Sequence, residues 1–341
     1  MGESPHKGTA AEVPGDRSAP SRLGVVIPTL DRRDQVVALV QRLAREHDVA
    51  EIIVVDDGSS DASAHALADM SATELRLQIV KGPGEGAAAA RLAGAERATS
   101  DVVLFLDDDV MPEPGLPTGH LRHHGDGKPL VVVGYMPTRR PTGRTAIDFA
   151  THFYAQEYER RCDVFDADPS SILRNLWLGN VSISREAFLD ATRRWPEPLP
   201  DARHEDQLLG LRLRELGVDA IFDRSLLATH EHARTLAQFR RGCRGEGVGR
   251  ALLETRFAHA LDAVGVEQFG RGLPLPLRTV VTLTRQPLPY RTTSSALAAV
   301  VTVTGAAKLY RPQAAAARLL RRVEQQQGYL QCSASSRRPA V

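Results

Sequence analysis

Apolar runs in the first third of this chain are short, and three of the four end in acid. "LGVVIPTL" (Leu23 to Leu30), "EIIVVDDGSS" (Glu51 to Ser60), "LRLQIV" (Leu75 to Val80) and "DVVLFLDDD" (Asp101 to Asp109) are β-branched or otherwise apolar stretches of strand length. Between them, Asp31 to His47, Asp61 to Met70 and Gly86 to Ala98 have helical composition and apolar spacing. Strand alternating with helix over about a hundred residues predicts an α/β fold with a central, mostly parallel sheet covered by helices on both faces. Ligands of such a sheet sit beyond the carboxyl ends of its strands. Here those ends read "PTLDRRD", "DDGSSD" and "DDD", so polar chemistry collects along one edge.

Composition narrows the classes open to the chain. Its 341 residues are 42% hydrophobic, enough for one large domain or one domain with a helical appendage. A net charge of +1 supplies no general attraction to nucleic acid, which is not an expected partner. Cys162, Cys243 and Cys332 are far apart and lack a C-x-x-C spacing, so neither a disulfide framework nor a structural zinc site is expected, and a reducing cytoplasm fits. Residues 1–22 are small, polar and proline-containing without an apolar core, the composition of a disordered tail rather than a signal peptide.

Three adjacent carboxylates at a strand end repel one another and call for a nearby positive charge. Asp107 and Asp109 point the same way if strand geometry persists, and hard oxygen ligands suit Mg²⁺ or Mn²⁺. A solvated acidic turn closed by Pro112 accounts for the same residues. Further on, Leu209, Leu213 and Leu216 fall at helical spacing, which puts Glu205 and Asp206 at the start of that helix, where its dipole favours acids whatever their role. His230 and His232 follow in "THEHAR" as candidate ligands near a metal. Arg240, Arg241 and Arg244 read equally as contacts to an anion or as a solvated helix face, and His123 and His124 precede an evident loop and receive no role.

The ordered set "VVIPTLDRRD", "IIVVDDGSSD", "GAAAARLAGAERATSDVVLFLDDDVMPEP", "LGNVSISREAF" and "HEDQLLGLRLRELG" resembles the family 2 glycosyltransferases over roughly residues 23–250. The resemblance implies a GT-A fold, that of the nucleotide-diphospho-sugar transferases, and an inverting, metal-assisted transfer of sugar to an acceptor hydroxyl. It implies a donor site in which Pro28 and Thr29 line the nucleobase and ribose pocket, Asp31 lies beside them, and Asp57 accepts a hydrogen bond from the base while Asp56 serves the turn. Arg91 corresponds to an arginine near the nucleotide, although Leu92 follows where the family commonly has asparagine. Asp107 and Asp109 match the outer positions of the DXD motif around Asp108, with Asp109 the more direct ligand of Mn²⁺ or Mg²⁺. Gly179 and Asn180 resemble the sugar-side wall, and Asp206 the general base, with Glu205 in reserve. The implied donor is a nucleoside-diphosphate sugar, uridine slightly favoured over thymidine and guanosine. The acceptor is a saccharide, a lipid-linked intermediate or a small metabolite.

Beyond residue 250 the resemblance fades into a helical extension over 251–330 and a disordered tail over 331–341. Ser294 to Tyr310 is apolar but shorter than the ~20 residues of a spanning helix, which leaves a cytoplasmic protein with scope for peripheral membrane contact. Two enzymatic alternatives lack their opening motif. A dinucleotide oxidoreductase needs G-x-G-x-x-G after the first strand, where "PTLDRRD" stands, and a sugar nucleotidyltransferase needs a glycine-rich, arginine-containing loop there. A catalytically silent nucleotide-sugar binder or assembly partner is the alternative from another class, and the joint presence of Asp107, Asp109 and Asp206 weighs against it.

Overall fold

Burial on both faces explains why the leading strands are apolar at nearly every position rather than at every second one. The computed structural model describes residues 21–74, 76–126, 128–143, 146–193, 204–231, 233–256 and 265–335. Leu75, His232, most of the expected N-terminal tail and residues 336–341 therefore lie outside the described residues. In chain order the elements are β1 (Leu23–Thr29), α1 (Arg33–Leu43), β2 (Val49–Asp56), α2 (Ser63–Ser71), β3 (Leu77–Lys81), α3 (Ala87–Arg97), β4 (Val102–Leu106), β5 (Val110–Pro112), α4 (Leu116–Arg122), β6 (Leu130–Tyr135) and α5 (Ala146–Ala167). They continue with β7 (Asn180–Ser184), α6 (Arg185–Arg193), α7 (Glu205–Glu215), β8 (Asp219–His230), α8 (Leu236–Arg256), α9 (Leu275–Leu283), α10 (Pro287–Ala306) and α11 (Tyr310–Ser335).

The sheet runs β3-β2-β1-β4-β7-β6-β8-β5. Its first four strands are parallel, β6 is parallel to β8, and only β7 and β5 are antiparallel to their neighbours. Successive residues of each strand enter different cores. Val26, Ile53, Val55, Val103 and Phe105 pack beneath α3 and α6, whereas Val25, Ile27, Ile52, Val54 and Leu104 pack beneath α1 and α2. The parallel run brings the carboxyl ends of β1, β2 and β4 side by side, which is the edge where the acids were expected.

A third core is helical. Phe149 and Phe153 of α5, Phe239 and Cys243 of α8, Val301 of α10 and Leu320 of α11 pack together. Helix α8 runs through Arg250, so the expected start of the extension falls inside a helix shared by both halves. Helix α11 continues to Ser335, past residue 331 where a tail was expected. Glu324 of α11 is fully buried and receives Arg240 (2.7 Å), Ser294 (2.6 Å) and Tyr290 (2.8 Å), with Arg244 at 3.2 Å. For Arg240 and Arg244 the structure shows neither of the two readings left open, an anion contact or a solvated helix face: an isolated buried carboxylate is costly, and these arginines neutralise it. Arg241 is exposed.

Helices α8 and α11 cross at two glycines. A Cβ on Gly247 would overlap the Gln325 carbonyl, and one on Gly328 would overlap that of Arg244. Neither backbone can retreat without opening the helical core. Gly247→Val should therefore lower stability by the ~1–3 kcal/mol of an overpacked site, read as a lower denaturation midpoint in urea, whereas Ser295→Val on the exposed face of α10 should leave it unchanged.

Candidate active site

The loops that follow β1 and β2 are tied together before any ligand arrives. Asp31, at φ 53°, accepts from the amide and hydroxyl of Ser60 (2.6 and 3.0 Å), and its own amide donates to Ser59 Oγ (3.0 Å). Asp56 accepts from the amide of Ser59 (2.8 Å), the turn role expected of it. Asp57 is buried, and its two oxygens accept from the amides of Gly84 (2.8 Å) and Gly86 (2.7 Å), so this carboxylate shapes the loop after β3. Pro28 and Thr29 are buried at the end of β1.

Strand β4 ends at Leu106, so strand alternation does not extend through the three acids. Val110 N donates to Asp107 O (3.0 Å), closing a turn that fans the carboxylates apart. Asp108 points inward, accepting from Thr29 Oγ1 (2.9 Å) and Arg32 Nη1 (2.9 Å), and burial pushes its carboxyl up to about 6 against the pull of Arg32. Asp109 lies 2.5 Å from Arg32 and 3.2 Å from His230 Nε2 at the end of β8. Arg32, given no role from "LDRRD" alone, is the positive charge that Asp108 and Asp109 require. Asp107 turns the other way, to Arg91 (2.7 Å).

Arg91 is the junction of the site. The buried face of α3 is Ala90, Arg91, Gly94 and Ala95, small side chains around one guanidinium. That guanidinium also reaches Asp206 (3.3 Å) and Glu205 (4.0 Å) at the start of α7. Burial opposes its charge, but Asp107, Asp206 and Glu205 together hold it firmly protonated. Asp206 takes a second hydrogen bond from Leu178 N (3.1 Å). The contact depends on Gly210, one turn along α7, where a Cβ would overlap the carbonyl of Leu173. Burial pushes Glu205 up to about 7, with Asp206 adding and Arg91 opposing, and burial likewise raises Asp206.

These acids open onto a cavity of about 630 Å³. Asp107, Gly179, Glu205, Asp206 and His230 line it together with the aromatic Tyr154, Tyr158 and Trp177, and with Arg161, Arg321 and Gln325 from helices α5 and α11. Arg161 donates to Asn175 (3.0 Å) and lies over the Trp177 ring. None of these wall residues was picked out from sequence, since α5 and α11 meet only in the fold. Of the two residues expected in a sugar-side wall, Gly179 lines this cavity and Asn180 is buried away from it. As the first residue of β7 it faces the interior, donates to Leu226 O (3.1 Å) and pairs with His120 (3.0 Å), whose other nitrogen meets Ser182 (3.0 Å). His124 joins the same Ser182 (2.8 Å), and burial depresses His120 to about 3 and His124 to about 4, so both are neutral structural histidines.

Among the described residues no three His, Cys, Asp or Glu side chains converge as a metal cage, and His232 lies outside them. The adjacent Asp109 and His230 nevertheless offer one oxygen and one nitrogen beside a strand end with excess acid. That donor set fits a divalent cation of the kind that takes one or two protein ligands and completes its shell with phosphate and water.

The sheet topology and the edge of acids define the chain's class: it has the GT-A fold, with helices added at the C-terminal end. A mannosyltransferase from Pyrobaculum calidifontis, solved with GDP-Man and Mn²⁺, is similar over 96% of this chain and 90% of its own, with a TM-score of 0.55 and 16% identity. Residues 24–172 match the family described as Glycosyl transferase family 2. The EpsH protein of Bacillus subtilis (strain 168), assigned by name to the glycosyltransferases, is 34% identical over 98 residues, which span 29% of this chain and only 28% of that protein.

The acid cluster makes a pH-dependent prediction about stability. Arg91→Leu strands three carboxylates, so unfolding in urea at pH 8 should show a loss of about 3–5 kcal/mol. A carboxyl whose folded pKa is raised stabilises the fold when protonated, and that contribution vanishes as pH rises through the folded value, here about 7 for Glu205. The deficit of the variant should therefore shrink at pH 5. An equal deficit at both pH values would contradict the cluster.

Proposed function

We propose that the chain transfers a sugar from a nucleoside-diphosphate sugar to an acceptor hydroxyl with inversion. The observation that carries this reading is Arg91, which joins the strand-end Asp107 to Glu205 and Asp206 at the mouth of a 630 Å³ cavity. The donor nucleotide lies along the loops after β1, β2 and β3, where Asp31 and Asp57 already fix the backbone and Thr29 holds the Asp108 carboxyl. Its diphosphate ends near Asp107 and Asp109, and the acceptor enters through the cavity. The fold shared with a protein solved with GDP-Man and Mn²⁺ supports such a donor.

Asp206 is the general base. A carboxylate near the attacking hydroxyl must take its proton as the anomeric bond forms. Asp206 is held by Arg91 and by Leu178 N, one bond to each oxygen, which fixes it while leaving lone pairs free. Its raised pKa makes it a better proton acceptor than an ordinary carboxylate. Glu205 adds negative charge beside it. Asp109 and His230 would hold Mn²⁺ or Mg²⁺, whose chemistry is to neutralise charge on the departing nucleoside diphosphate. Because Arg32 shares Asp109, the loop after β1 responds to what binds there.

With donor and a hydroxyl acceptor, Asp206→Asn should lose ~10²- to 10⁴-fold in turnover while keeping nucleotide affinity. Glu205→Gln should retain turnover within about tenfold, since the neighbour only tunes the base. The pair titrates as a unit, so wild-type kcat/KM should fall as pH drops through about 7, and Glu205→Gln should move that limb to lower pH. Loss with Glu205→Gln alone would reassign the base.

Nucleoside-diphosphate affinity, measured by calorimetry, should weaken about tenfold or more when Mn²⁺ is replaced by EDTA, an effect of at least about 1.4 kcal/mol. Asp109→Ala should abolish that metal dependence. Equal affinity with and without metal would remove Asp109 and His230 from the donor site.

A further inference from the structure

The C-terminal helices carry a surface that neither the fold's core nor the cavity uses. Eight of the ten large apolar side chains exposed among the described residues fall between Leu275 and Tyr310, with Leu275 at 74%, Leu288 at 71% and Val303 at 66% exposure. A cluster of this kind is not the ordinary scatter of surface hydrophobics. On α10, Leu288, Thr292, Ala299 and Val303 are all exposed and recur at helical spacing, an outward stripe along the whole helix.

Charge on the same segment is one-sided. From Gln268 to Val323 the sequence holds nine arginines and lysines and no aspartate or glutamate, whereas the whole chain nearly balances 43 basic against 42 acidic residues. Arg271, Arg278, Arg291, Lys308, Arg311 and Arg318 are exposed. Arg278 follows Leu275 by one turn of α9, Arg291 follows Leu288 by one turn of α10, and Lys308 and Arg311 flank Leu309. Apolar groups with long cations beside them match an acyl boundary below and anionic headgroups above.

We infer that the outer face of α9, α10 and the start of α11 docks this protein on an anionic lipid surface, its leucines and valines in the acyl boundary and its arginines at the headgroups. A second copy is a poor occupant, since pairing this face with itself would set cations against cations. Docking here is peripheral, because no helix among the described residues is long and apolar enough to cross a membrane. The surface adjoins the cavity: Arg322, which lines the cavity, donates to the carbonyls of Phe269 (3.2 Å) and Arg271 (2.8 Å) in the segment leading into α9. This inference does not depend on the identity of the base or the metal.

Flotation of the full chain with phosphatidylcholine vesicles, with and without phosphatidylglycerol, tests it. Binding should require phosphatidylglycerol and be reversed by salt. Leu275→Gln with Leu288→Gln, and separately Arg278→Glu with Arg291→Glu, should each reduce binding at least about tenfold, with thermal unfolding unchanged. The inference is overturned if the chain fails to float with phosphatidylglycerol at low salt, floats equally with phosphatidylcholine alone, or floats undiminished in both variants. It is also overturned if light scattering shows a dimer that the leucine variant dissociates while no vesicle binding occurs.

Discussion

Arg91 is one guanidinium serving three carboxylates, and the edge of the sheet depends on it. Without a buried cation, Asp107, Glu205 and Asp206 could not share the mouth of one cavity, because each would raise the cost of ionising the next. With it, the turn after β4 and the start of α7 are fixed to each other although a hundred residues separate them along the chain. A second cation, Arg32, does the same for Asp108 and Asp109 from the loop after β1. Two arginines on two different elements thus divide a run of three like charges between them. That division sends Asp107 to the cavity and Asp109 to His230.

Backbone contact does the positioning that charge alone cannot. Gly210 lets α7 rest on the Leu173 carbonyl, which brings Leu178 N to Asp206. Gly247 and Gly328 let α8 and α11 touch, which closes the helical wall of the cavity with Arg321, itself held between Glu157 (2.9 Å) and Glu246 (3.2 Å). The acids therefore share the cavity with residues of α8 and α11, which lie beyond the family-matched residues 24–172. Under the proposed function, that wall would set acceptor selectivity and the sheet edge would supply the donor chemistry.

The strands, the first helices and the acids at the sheet edge were legible because their signals are local: β-branched runs, apolar spacing and polar strand ends. Glu205 and Asp206 were legible at a helix start for the same reason. Asn180 was not, since its orientation depends on the residue at which β7 begins, and a shift of one reverses the face. Asp107 and Asp109 do not share a side, because β4 stops one residue before them and a turn takes over. Arg240 and Arg244 stayed open between an anion contact and a solvated helix face, because the buried Glu324 that they neutralise lies 84 and 80 positions away. The cavity wall was invisible in the sequence because Arg161 and Arg321 are neighbours only after α5 and α11 pack.

The central claim is a single displacement driven by a carboxylate on α7, with no covalent sugar intermediate. Slow hydrolysis of the donor, with water in place of the acceptor, followed by proton NMR from the first turnover, reads this directly, because the anomer released first records the geometry of attack. The account predicts that an α-linked nucleotide sugar yields the β-sugar first, with the α-anomer appearing only at the rate of mutarotation. Release of the α-sugar first would mean retention and contradict it.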